Sequence, residues 1–144
     1  MNSAPQYSLF PETVYEYLIL LSPSDEIKEA TDKCKELLNE MIGIDMDDLK
    51  SIAHISLITY VGMESMDIPS MLRKAVATVS PFMVTISGYD FFKNGDRRTL
   101  YLKVENPEPI QQLADVLKTA PKRGVKKKLV KITPHITIAR NLLP

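Results

Sequence analysis

The chain has 144 residues, 44% of them hydrophobic and 25% charged, enough to bury the core of one domain and far from the composition of a disordered or fibrous protein. Its 18 basic and 18 acidic side chains cancel, so no strong net field marks it for polyanions or membranes, and its longest apolar run, YLILL at 17–21, is too short to span a bilayer. No secretory signal pattern opens the chain and its single Cys34 cannot form an internal disulfide, so a cytoplasmic location is expected.

Thr13 to Leu21 is rich in Val, Tyr, Ile and Leu on both alternating faces, the pattern of a strand buried on two sides. SPSDEI then supplies Ser and Asp caps, an early Pro and first-turn acids, so a helix begins there. Its apolar stripe is read as Ile27, Ala30, Cys34, Leu37, Leu38 and Met41, with Gly43 ending it. An acidic connection, IDMDDLK, leads to a second strand from His54 to Val61. A second helix presents Ile68, Met71, Leu72, Ala75, Val76 and Val79, and Pro81 lies past its end. PFMVTISGYDFF and RRTLYLKVE flank KNGD, where Asn94 and Gly95 suit a tight hairpin turn with positive φ. Pro107 and Pro109 open a third helix with Ile110, Leu113, Ala114 and Leu117 inside, and Pro121 stops it. The basic run KRGVKKKLVK at 122–131 reads as a loop before the last strand, 132–140.

The two halves share one plan: strand, Pro-marked helix start, helix, then a strand bearing a histidine and a hydroxyl residue two positions on. This order predicts an α+β fold, with residues 1–144 as a single domain. Two pseudo-symmetric lobes of mainly antiparallel sheet would carry helices outside and enclose a central cleft. The internal duplication would place its half-motifs on strands 54–61 and 132–140.

The only two histidines stand in these half-motifs, AHISLITYVG at 53–62 and ITPHITIAR at 132–140. Side chains at i and i+2 of a strand share a face, so His54 aims with Ser56, and His135 with Thr137. An imidazole titrates near neutrality and a hydroxyl donates to an anionic oxygen, so two such units facing one another would bracket a phosphate. One neutral histidine would take a proton from the attacking oxygen and the other, protonated, would supply one to the departing oxygen. No metal or cofactor is expected in this scheme, and the chain has no histidine–carboxylate cluster of ligand spacing. A lone histidine among apolar strand residues is usually a hydrogen-bonded core residue. Two histidines in the same pattern, each closing a repeat, make that explanation a coincidence.

On these motifs the sequence resembles the two-histidine phosphoesterase superfamily, whose members are commonly named 2′-5′ RNA ligases and cyclic nucleotide phosphodiesterases. HISLITYVG matches the family's first motif with His54, Ser56, Tyr60 and Gly62, and PHITIAR its second with His135, Thr137 and Arg140. The resemblance implies a bilobal fold and metal-independent making or breaking of phosphodiesters that involve a ribose 2′ oxygen. His54 and His135 would be catalytic, and Ser56, Thr137, Arg140 and Tyr60 would bind substrate, an RNA end or a small cyclic nucleotide. Strand alternation sets Arg140 opposite His135, so its phosphate role requires the strand to bend. The alternative is a non-catalytic RNA- or nucleotide-binding module that keeps the same cleft. No membrane partner is expected, and a monomer is.

Six basic residues among 122–131 could attract an RNA backbone or form a solvated loop, with neither reading favoured. Tyr15, Tyr17, Phe82 and Phe92 are read as core, whereas Tyr60 shares the side of its strand that His54 faces. DMDD at 45–48 is read as a solvated connection, and Cys34 as part of a helix stripe.

Overall fold

The structure is a computed structural model describing residues 13–63, 67–120, 126–129 and 133–144. Along the chain run β1 (Val14–Leu21), α1 (Asp25–Ile42), α2 (Met46–Lys50), β2 (Ile55–Met63), α3 (Ile68–Val76), β3 (Ile86–Asn94), β4 (Arg97–Val104), α4 (Glu108–Thr119), β5 (Lys126–Leu129) and β6 (His135–Leu142). The strands form one antiparallel sheet in the order β1-β2-β6-β4-β3, with β5 pairing β2 beside β6. The fold is α+β. Among the described residues no helix is long and apolar enough to cross a membrane.

Helix starts follow the local chemistry. Ser24 caps α1, its hydroxyl accepting the Ile27 amide, and Asp67 caps α3, its carboxylate accepting from the Ser70 amide and hydroxyl. Those two hydrogen bonds hold the Asp67 carboxyl below its ordinary pKa. Gly43, at φ 70°, ends α1 as its amide donates to the Asn39 carbonyl at 2.9 Å. At the β3–β4 hairpin the turn residues are Gly95 and Asp96, one step later than the sequence suggests, with only Gly95 at positive φ.

Ile55, Leu57, Ile58, Tyr60 and Ile136 of the sheet join Ile68, Ile110, Leu113 and Leu117 of the helices in one core, with Ile27, Met71 and Leu72 packed against it. Three readings of the sequence change. First, β1 is an edge strand with one face outward, so Leu18 and Leu20 are exposed while Tyr17, Ile19 and Leu21 turn inward. Second, α1 buries Thr31 and Lys35 rather than Cys34, Leu37 and Met41, all of which are exposed. Third, the acidic connection is no solvated loop, because Asp48 is 3% exposed on α2 and grips Arg140 of β6. The run at 122–131 contains β5; its remaining residues, and every side chain in it, lie outside the described residues.

The odd occupants of the inner face form a polar seam. Lys35 donates from Nζ to the Ser51 carbonyl at 2.6 Å, and Thr31 donates to the Ile27 carbonyl at 2.7 Å. Burial pulls the Lys35 ammonium below the usual lysine range, against the attraction of Asp32 and Asp48. Asp48 accepts from the Arg140 amide at 2.9 Å and from its Nε at 2.8 Å. Substituting Asp48→Ala strands that amide and leaves the guanidinium unpaired, so unfolding free energy should fall by about 2–3 kcal/mol, read from urea midpoints.

Candidate functional site

β2 and β6 meet at one residue pair, Ile55 opposite Ile136. Both side chains are buried in the core. In an antiparallel register, one step to either side sets His54 opposite Thr137 and Ser56 opposite His135. All four therefore share the face opposite the two isoleucines, and each is partly exposed there. Cross-strand neighbours of this kind have Cβ atoms about 4.5–5.5 Å apart, close enough for a phosphate to touch several of the four side chains.

The rings are held by the same local bond. His54 donates from Nδ1 to the Ile52 carbonyl at 2.7 Å, and His135 donates from Nδ1 to the Thr133 carbonyl at 2.8 Å. A carbonyl can only accept, so Nδ1 carries the proton in both rings and proton exchange falls to Nε2.

A second repeated feature follows each histidine by three residues. β1 pairs Leu20 with Ser56 but Ile19 with Ile58, leaving Leu57 as an extra residue. β4 pairs Tyr101 with Thr137 but Leu100 with Ala139, leaving Ile138 as an extra residue. Each bulge reverses the alternation beyond it. The reversal corrects the expectation for Tyr60, which turns to the core face, is fully buried and donates its hydroxyl to the Leu117 carbonyl. Burial raises its phenol above the usual range. Leu117 lies in the last turn of α4 and its i+4 residue is Pro121, which has no N–H to give, so Tyr60 supplies the missing donor.

At Arg140 the register has broken twice, at Ile138 and again between the Leu100–Ala139 and Arg98–Leu142 pairs, so strict alternation from His135 does not carry to it. Its Nε and amide are held by Asp48, while the side chain stays 58% exposed. The strand is irregular around Arg140, and the guanidinium has a carboxylate partner that the sequence did not announce.

β4 and β3 extend this face in ways the sequence reading missed. Lys103 pairs with His135 and Tyr101 with Thr137, so both positions lie on the histidine face. Phe92, read as core, instead meets the His135 ring edge-on with centroids 4.8 Å apart and stacks on Tyr101 at 4.1 Å. Tyr101 also contacts His135 at 5.2 Å between centroids. Burial, then the Asp90 carboxylate, raises the Tyr101 phenol above its ordinary range. The signal available was the alternation of RRTLYLKVE, which puts Thr99, Tyr101 and Lys103 on one face without saying which neighbour that face meets. An apolar cavity of about 540 Å³ lies on the helix side of the sheet, with Ile55, Ile27, Phe82 and Leu113 in its wall, away from the histidines.

With this geometry in place, comparison with known proteins assigns the family. The model of the 2′-5′ RNA ligase superfamily matches residues 23–144, and the chain belongs to that superfamily. No curated protein and no solved structure matches the chain. The match runs from the Pro that precedes α1 through both histidine strands.

Tyr60→Phe should lower unfolding free energy by about 1–2 kcal/mol, because it leaves the buried Leu117 carbonyl without a donor. Measured substrate affinity should stay at the parent value, since Tyr60 lies on the far side of the sheet from His54 and His135.

Proposed function

We propose that this protein is a metal-independent phosphoesterase that opens, hydrolyses or reversibly forms 2′-linked and 2′,3′-cyclic phosphodiesters at RNA ends or in small nucleotides. The observation that carries the reading is the Ile55–Ile136 pair, whose register, extended by one residue to either side, sets each histidine position opposite the hydroxyl residue of the other motif. Superfamily membership supports the class of substrate. In ring opening, Nε2 of one neutral histidine accepts a proton as the water oxygen attacks phosphorus. The bond from phosphorus to one ribose oxygen breaks, and Nε2–H of the other histidine protonates that oxygen. Ser56 and Thr137 donate to the non-bridging oxygens as charge builds on them. Arg140 adds positive charge from the guanidinium that Asp48 holds by its Nε edge.

Both rings share the Nδ1 bond to a carbonyl, and substrate orientation decides which acts as acid. Hydrolysis is the favoured direction in water, because the reading includes no energy source for ligation. The internal duplication proposed from the sequence has support in the paired bulges and paired Nδ1 bonds. We assign the reaction to a cytoplasmic monomer, with no cofactor.

Purified protein should open a 2′,3′-cyclic nucleotide without added metal and in the presence of a chelator. His54→Ala and His135→Ala should each lower kcat by about a hundredfold or more, and the parent should give a bell-shaped pH–rate profile from its acid and base. Turnover of His135→Ala at the parent rate would overturn the reading.

A further inference from the structure

Lys35 is the least expected residue in the core. Its side chain sits on the inner face of α1 at 1% exposure, and its Nζ reaches the Ser51 carbonyl at 2.6 Å. An ammonium taken out of water is stabilising only where its donors meet well-placed acceptors, and apolar residues of similar volume often serve a core as well or better. Simple packing therefore gives no reason for lysine here. The reason lies in what Ser51 adjoins.

Ser51 begins the short stretch between α2 and β2, and its amide donates to the Asp47 carbonyl at 3.0 Å. The carbonyl of the next residue, Ile52, is the acceptor that holds the His54 ring. Ile52 has no apolar anchor of its own, its side chain being 70% exposed. Ahead of the buried Ala53, the main chain at 51–52 is held by two hydrogen bonds, one from the end of α2 and one from Lys35. We propose that Lys35 is a positioning residue for His54: it clamps the Ser51–Ile52 segment so that the Ile52 carbonyl fixes the ring with its proton on Nδ1 and its Nε2 edge toward the phosphate position. Asp48 supports the clamp from the other side, since it ties α2 to Arg140 of the histidine strand β6. Its kinetic consequence rests on the phosphoesterase reading, whereas its structural consequence does not.

The test is Lys35→Met, read first without substrate by nitrogen–proton NMR of the imidazole rings. The variant should fold cooperatively. Its His54 should lose the single Nδ1–H tautomer and show exchange between the two ring nitrogens, while His135, held by Thr133, keeps the parent signature. On a 2′,3′-cyclic nucleotide kcat should fall about tenfold with KM unchanged, part of what a positioned acid–base group contributes. A folded Lys35→Met whose His54 retains its Nδ1–H signal overturns the proposal. Should Met prevent folding, Lys35→Gln replaces it: the amide stays polar toward Asp32 and Asp48 but falls short of the Ser51 carbonyl, and the same NMR outcomes decide. A shifted His54 tautomer with undiminished turnover upholds the clamp and counts against the two-histidine mechanism instead.

Discussion

The pairing of Ile55 with Ile136 is the joint on which the candidate site depends. Burying both isoleucines among Ile110, Leu113 and Leu117 fixes which face of each strand looks inward, and a strand has only two faces. With that choice made, His54, Ser56, His135 and Thr137 have nowhere to point except the opposite side. A slip of one residue in either strand would send histidines into the core and isoleucines into water. The apolar core thus enforces the register of the polar site, and one buried side chain, Tyr101, reaches the His135 ring directly.

Around this joint the protein uses each local device twice. Both histidines donate from Nδ1 to the carbonyl two residues earlier, and both strands carry one extra residue three positions after the histidine. The bulges let each strand present its motif on one face and then return large apolar residues to the core, so that Ile58 and Tyr60 face inward and Ala139 follows Ile136. Surroundings differ where the devices agree. His135 is flanked by Phe92 and Tyr101, while the β1 residues beside the first motif on that face are the exposed leucines Leu18 and Leu20. This asymmetry gives the two halves of the face different chemistry for a substrate to meet.

The helices are tied to the sheet by charge as well as by apolar contact. Asp48 satisfies an amide of β6 that β2, having met β6 at a single pair, does not reach, and the same carboxylate orders Arg140. Lys35 performs a related service for the segment before His54. Directional bonds of this kind hold a main-chain path more narrowly than apolar side chains do, which fits their location beside the two motifs.

Local sequence was sufficient for β1 to β4, β6 and the helices α1, α3 and α4, their order, the α+β class and the pairing of each histidine with its hydroxyl, but not for the short α2 and β5, which it read as a connection and a loop. Those depend on spacing along one segment, where alternation and helical periodicity are physical consequences of the backbone. Tertiary structure alone decided the rest. Alternation counts residues as though strands were regular, so it could not register Leu57 and Ile138, and it put Tyr60 with the histidines and Arg140 against them. The composition of β1 did not reveal that it would lie at an edge with one face outward. Periodicity in α1 favoured Cys34 and Leu37 over Lys35, because a lysine is polar until a particular carbonyl, brought from Ser51 by the fold, makes its burial affordable. Whether a charged side chain is solvated or buried is set by its partners, and those partners are distant in sequence.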